Sequence, residues 1–145
     1  MTKLMTAAVG GLVLMSFHSA EAAPRTGACV DSPQKVLTVC VAANNDGPYY
    51  DVYRGDRQVI SESRLGLVLE GFGNQPAKFV GNERRTSVDQ TWEQPWGEQR
   101  KIRDQHQQLQ VTLSSVSRES TEPYELTVRV FDEGFGFLVG EAAVE

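Results

Sequence analysis

The chain has 145 residues, 19 of them acidic and 14 basic, which gives a formal net charge of −5. A single domain with a modest hydrophobic core is the expected organisation for this length. The acidic balance argues against nucleic acid as a partner, because binding to a phosphate backbone requires clustered Lys and Arg side chains.

The first 22 residues have the pattern of a secretory signal peptide. Lys3 precedes an apolar run over residues 4–17, and Ala20-Glu21-Ala22 matches an A-x-A cleavage site. The alternative, an N-terminal membrane helix, needs roughly 20 apolar residues, and this run is shorter. We therefore predict that residues 1–22 are removed, that the protein is exported to the periplasm or secreted, and that the processed chain has no membrane partner.

Short strands separated by turn residues are predicted for most of the remaining chain. Residues 23–33 show no periodicity and are interpreted as a lead-in. Apolar residues then alternate with polar ones, and no convincing helical period follows. The strands are predicted at residues 35–42, 49–54, 58–61, 64–70, 78–86, 108–116, 124–131 and 135–139. This pattern predicts an all-β fold, an antiparallel β-sandwich or part of one, over residues 34–139.

The two cysteines, Cys29 and Cys40, allow two interpretations. In an oxidising compartment they could form a disulfide that closes a short loop. Alternatively, Cys40 is a small buried hydrophobic residue and Cys29 is a loop thiol.

Both tryptophans lie in one unusual stretch, residues 88–104. Pro95 interrupts any hydrogen-bonded ladder there, and burial of the tryptophans would also bury nearby acids, so the stretch is expected to face a partner. Aromatic rings stack on the apolar faces of sugars, and carboxylates bind sugar hydroxyls. The predicted carbohydrate or interdomain interface consists of Trp92, Glu93, Trp96 and Glu98. The alternative is that the tryptophans anchor a long crossover against the sheet.

No motif predicts a catalytic centre or a metal site. His106 is the only histidine beyond the signal peptide, and its glutamine-rich surroundings predict a solvated loop residue. No Cys and His spacing fits zinc, and no glycine-rich turn leads into a helix that could hold phosphate. The acids beside the tryptophans could form a glycosidase pair only at a set separation, so a binding or docking face is favoured.

Several short motifs occur in a particular order along the chain: SPQK at 32–35, GPYY at 47–50, SRLGL at 63–67, DQTWEQPWGE at 89–98 and FDEG at 131–134. Together they resemble the N-terminal domain of glycoside hydrolase family 97, over residues 32–137. The resemblance implies part of a β-super-sandwich, which in complete members precedes a (β/α)8 catalytic barrel and a C-terminal β domain. Those members are exported bacterial α-glucosidases or α-galactosidases with calcium in the active site.

The chain departs from this family after residue 137, and residues 140–145 are interpreted as a divergent tail. A frameshifted or truncated gene would give such an ending. We therefore expect an incomplete, non-catalytic domain without a cofactor of its own, whose partner is the catalytic barrel or a carbohydrate. The alternatives are a stand-alone periplasmic carbohydrate-binding module that uses Trp92 and Trp96 as a platform, or a docking partner of a separately encoded barrel.

Overall fold

A computed structural model describes residues 25–66, 77–115 and 123–141 of the chain. Within these ranges the regular structure consists entirely of strands, so the predicted all-β class is confirmed. The eight strands are β1 (Ala28–Asp31), β2 (Leu37–Asn44), β3 (Gly47–Arg54), β4 (Arg57–Arg64), β5 (Ala77–Glu93), β6 (Lys101–Ser115), β7 (Tyr124–Val130) and β8 (Phe135–Glu141). In the part of the chain described, no helix is long and apolar enough to cross a membrane.

The strands form two four-stranded sheets, each with its strands in chain order: β1-β2-β3-β4 and β5-β6-β7-β8. All neighbouring strands are antiparallel. Turns such as Asn45-Asp46 and Gly55-Asp56 connect consecutive strands, because these residue types adopt turn conformations at low cost. The connection between the sheets, residues 67–76, lies outside the described residues.

The hydrophobic core lies between the two sheets. Alternate residues of a strand point to the same face, so the predicted alternation at residues 35–42, 108–116 and 124–131 directs one set of side chains inward. The buried cluster consists of Val30, Val39, Val41, Val52, Leu109, Val111, Leu113, Leu126, Val128 and Val130. The cluster shows which of the two alternating sets of residues faces the core in each of these strands.

Strand β1 differs from the sequence prediction, because Ala28–Asp31 lies within the supposed lead-in. It pairs with β2 so that Cys29 faces Cys40 directly, and a disulfide joins the two residues. Gly27 precedes the strand at φ +87°, where a Cβ atom would lie 2.3 Å from the carbonyl oxygen of Val41. A strand of only four residues is too short to show periodicity, and its position depends on this close backbone approach.

The core strand predicted at residues 64–70 is not found in the described part of that range. Arg64 is the last residue of β4, which is an edge strand, and the chain leaves the strand at Leu65. Leu65 nevertheless packs against the core cluster. Residues 67–70 lie outside the described residues. At the other end, β8 continues to Glu141, so the first two residues of the segment interpreted as a divergent tail, Gly140 and Glu141, form the end of this strand.

A two-stranded arm as the candidate functional site

The stretch with both tryptophans forms a two-stranded arm. β5 and β6 are 17 and 15 residues long, but the neighbouring strand β7 pairs with β6 only as far as Gln107. Beyond that point β5 and β6 pair only with each other, from Val88 opposite His106 to Glu93 opposite Lys101. We call residues 88–106 the arm. The crossover alternative is wrong, because this segment is a hairpin.

The loop at the end of the arm is held by one glutamine. The Gln94 backbone N–H donates to the carbonyl oxygen of Arg100 at 3.0 Å, and its side-chain Nε2 donates to the carbonyl oxygen of Gln99 at 2.8 Å. Gly97 has φ +116°, and a Cβ atom there would lie 2.6 Å from Gln94 Nε2. The loop encloses a cleft of about 650 Å³ lined by Glu93, Gln94, Pro95, Gly97 and Arg100. Trp96 projects from this ordered loop and is 81% exposed.

The arm has two chemically different faces, because successive residues of a strand point to opposite sides. One face continues the side of β6 opposite to the core-facing residues Leu109, Val111 and Leu113. We call it the Trp92 face, and it consists of Val88, Gln90, Trp92, Ile102, Asp104 and His106. The other face continues the core-facing side of the sheet beyond the core. We call it the ion-pair face, and it consists of Asp89, Thr91, Glu93, Lys101, Arg103 and Gln105.

Arginines engage both carboxylates of the ion-pair face. Arg103 donates two hydrogen bonds to the Asp89 carboxylate, at 2.9 and 2.8 Å. Arg100 from the loop donates to Glu93 at 3.3 Å. The hydrogen bonds from Arg103 lower the pKa of Asp89. Exposed pairs of this kind contribute little to stability, but they leave these carboxylates occupied.

On the Trp92 face, a carboxylate is held from both sides. His106 Nδ1 lies 2.5 Å from Asp104 Oδ1, and Gln90 Nε2 donates to Asp104 Oδ2 at 3.3 Å. A carboxylate only accepts hydrogen bonds, so the hydrogen of neutral His106 resides on Nδ1. The His106 ring is buried and packs against Phe131 with ring centroids 4.9 Å apart. Its Nε2 atom is buried and has no hydrogen-bond partner in the described structure.

The predicted solvated loop histidine is therefore wrong. His106 lies in the interior of β6 at the base of the arm and is 2% exposed. The glutamines around it concealed the strand, since polar residues occupy both faces of β6 here. Ile102, Asp104 and His106 share one face, but the residues between them are also polar, so the sequence offers no alternation that would have revealed the strand.

The hydrogen bond from His106 is the main cause of a lowered Asp104 pKa. A carboxylate whose folded pKa is depressed adds stability above its ordinary value of 3.8, and that stability disappears as the pH falls through the folded value. We expect Asp104→Asn to reduce the loss of stability seen between neutral pH and pH values below 3.8. Urea unfolding midpoints across this range measure the effect; parallel profiles for the two proteins would contradict it.

The structure does not gather the four predicted interface residues on one surface. Trp92 and Glu93 are on opposite faces of the arm, and Trp96 and Glu98 belong to the exposed loop. Trp92 itself is 49% exposed. The sequence prediction did not include Gln90, Asp104 or His106, which accompany Trp92. Their polar side chains resembled ordinary surface residues until the strand register placed them together.

The described residues do not provide a suitable set of ligands for calcium. No group of three or more His, Cys, Asp or Glu side chains there could hold a metal ion. Asp89 and Glu93 are bound to arginines, and Asp104 is a single carboxylate on its face of the arm. Calcium favours six to eight oxygen ligands, which this surface does not offer.

The fold and the arm define a β-sandwich domain that projects a hairpin with exposed aromatic residues. The family model described as "Glycosyl-hydrolase 97 N-terminal" matches residues 30–139, and the chain belongs to this family. The resemblance based on motifs over residues 32–137 is thereby confirmed.

Solved structures agree with this assignment. A glycoside hydrolase family 97 enzyme from Pseudoalteromonas sp. strain K8, solved with panose and with acarbose, matches at 26% identity and a TM-score of 0.67. The match covers 77% of this chain and 17% of that enzyme. A β-arabinopyranosidase at 18% identity and a TM-score of 0.59, matched over 74% of this chain and 17% of its own, shows the same fold. The chain therefore spans about a sixth of the length of these enzymes.

Proposed function

We propose that this chain is the non-catalytic N-terminal β-sandwich portion of an exported α-glycosidase. Its arm packs on a (β/α)8 catalytic barrel and helps to form the carbohydrate cleft. The observation that carries the proposal is the 81% exposed Trp96 on an ordered loop, in a chain of the Glycosyl-hydrolase 97 N-terminal family.

The position of Trp96 is typical of an interface anchor. Large aromatic side chains dominate binding energies when they enter a pocket on a partner. The hydrogen bonds of Gln94 to the loop backbone fix the loop in advance, so little conformational entropy is lost when the tryptophan binds. The sandwich itself does not cover this ring, and a partner surface would.

The electrostatics of the arm support a non-catalytic role. A glycosidase needs a general acid whose pKa is raised, opposite a second carboxylate at a defined distance. The pKa values of Asp89 and Asp104 are lowered instead, mainly by their hydrogen bonds with Arg103 and His106. The acid and its partner are therefore assigned to the barrel.

The disulfide supports export. Cys29 and Cys40 are bonded across β1 and β2, and such bonds persist in the periplasm or outside the cell but seldom in the cytoplasm. Residues 1–22, with the signal-peptide pattern, lie outside the described residues.

An activity assay provides the first test. The chain without residues 1–22 should release no nitrophenol from an aryl α-glucoside, with or without calcium, because it supplies no general acid. A family 97 enzyme assayed in parallel confirms that the substrate is active. Turnover by this chain above the blank would contradict the proposal.

A binding assay tests the barrel interface. The organism's genome should encode a family 97 barrel, which can be expressed and mixed with the chain. Trp96→Ala should abolish co-elution of the two proteins. Val59→Ala, which truncates a 50% exposed side chain on edge strand β4, should leave co-elution unchanged. A genome without such a barrel, or equal binding by both variants, would overturn the assignment.

A further inference from the structure

The exposed indole on the Trp92 face stands beside hydrogen-bonding groups. Trp92 lies opposite Ile102, and Asp104 is the next residue of β6 on the same face. Diagonal neighbours of this kind are about 7–8 Å apart, which is within reach of an aromatic side chain. Trp92 is about half exposed, so part of its ring remains open to a ligand.

Asp104 is accessible and oriented. Its side chain is 26% exposed, and each of its oxygens has one interaction, with His106 or with Gln90. A carboxylate oxygen has two lone pairs, so each oxygen retains acceptor capacity. The exposed Gln90 adds a carboxamide, which can donate and accept at the same surface.

Buried His106 supports this carboxylate at a cost to stability. Its Nε2 atom has no partner in the described structure, and an apolar ring would fill the same place beside Phe131 without an unsatisfied polar atom. What the imidazole provides instead is a fixed orientation for Asp104. Functional groups held by a buried second residue are typical of binding sites.

The opposite face lacks these features. Its carboxylates, Asp89 and Glu93, are engaged by Arg103 and Arg100. The Trp92 face therefore offers open acceptors beside an aromatic ring, whereas the carboxylates of the ion-pair face are already paired.

We infer that the Trp92 face is a saccharide-binding surface, on which Trp92 stacks against a pyranose ring while Asp104 and Gln90 bind its hydroxyl groups. The combination of an aromatic ring with acceptor and amide groups is the chemistry that recognises sugars. This inference deepens the proposed function by assigning the sugar contact to one face of the arm. Its test uses the chain alone and does not depend on the barrel.

Fluorescence titration tests the inference directly. In a Trp96→Phe background, Trp92 is the only indole and reports on its own surroundings. Titration with maltose and with melibiose should give a saturable change for at least one sugar, with a Kd on the order of 1 mM. Asp104→Asn and Gln90→Ala should each weaken binding by about tenfold, the loss expected for one hydrogen bond to a charged or polar group.

Asp89→Asn is the matched control, since it makes the same chemical change as Asp104→Asn on the opposite face of the arm. It should leave the Kd unchanged, and circular dichroism should show that every variant is folded. The absence of a saturable signal up to the solubility limit, or equal weakening by Asp89→Asn, would overturn the saccharide surface. If Asp104→Asn instead weakens only binding to the barrel, the Trp92 face is a protein contact; the proposed function would then stand without this inference.

Discussion

Replacing Cys29 and Cys40 with alanine should lower the free energy of unfolding by about 3 kcal/mol, the loop-entropy value for a closed loop of this size. The bond spans a sequence separation of 11 and joins the edge strand β1 to β2. For a domain of this length the midpoint of thermal unfolding should fall by on the order of 10 °C. Thermal and urea unfolding of the chain without residues 1–22 measure both quantities.

Reduction of the unsubstituted protein provides the control for this experiment. Dithiothreitol should lower its stability most of the way to that of the double variant, and it should not affect the variant itself. Cys40 is buried, so alanine also removes a small amount of apolar packing, and the reduced protein separates this contribution from loss of the bond. Equal unfolding midpoints for the oxidised and reduced proteins would show that the bond does not stabilise the fold.

The architecture could be predicted wherever one face of a strand is apolar. Leu109, Val111 and Leu113 alternate with polar residues in β6, and Leu126 and Val128 do so in β7, so the period of two was visible and the inward face followed from it. β6 and β7 supply most of the core residues that come from the second sheet.

Two strand segments without this alternation of apolar and polar residues were not predicted from the sequence. β1 has four residues, and its location depends on pairing with β2 and on the close approach of Gly27 to Val41. The outer half of β6 carries polar residues on both faces, so its continuation through His106 could not be inferred from alternation. Both segments are fixed by pairing with another strand, which sequence periodicity does not report.

The candidate site was predicted in part. The tryptophans, the proline and the acids marked the right segment, because such residues are unsuited to a core. Which carboxylate accompanies Trp92 depends on register: Asp104 lies in β6, twelve residues along the chain, yet on the same face, whereas the adjacent Glu93 points the other way. The sequence prediction grouped residues that are neighbours in the chain, whereas successive residues of a strand point to opposite faces of the arm.

The second large loss of stability is expected for a substitution at the centre of the core. Leu109 is fully buried in β6, between Arg85 of β5 and Val128 of β7. Leu109→Ala removes buried apolar contacts and leaves a cavity in a tightly packed region, which costs about 2–5 kcal/mol. Small domains are stable by only about 5–15 kcal/mol, so the variant should lose a large share of its stability. Urea unfolding should show a lower midpoint with an unchanged slope.

Two further variants make the result at Leu109 decisive. Leu109→Val removes one methylene and should cost less than Leu109→Ala, which keeps the comparison measurable if the alanine variant does not fold. Val59→Ala truncates an exposed side chain on β4 and should change stability by less than about 0.5 kcal/mol. The two sheets share one core. The loss of stability should therefore depend on burial of the side chain between the sheets, and not only on the loss of apolar atoms. A cost at Leu109 no larger than at Val59 would mean that β6 does not pack against the first sheet.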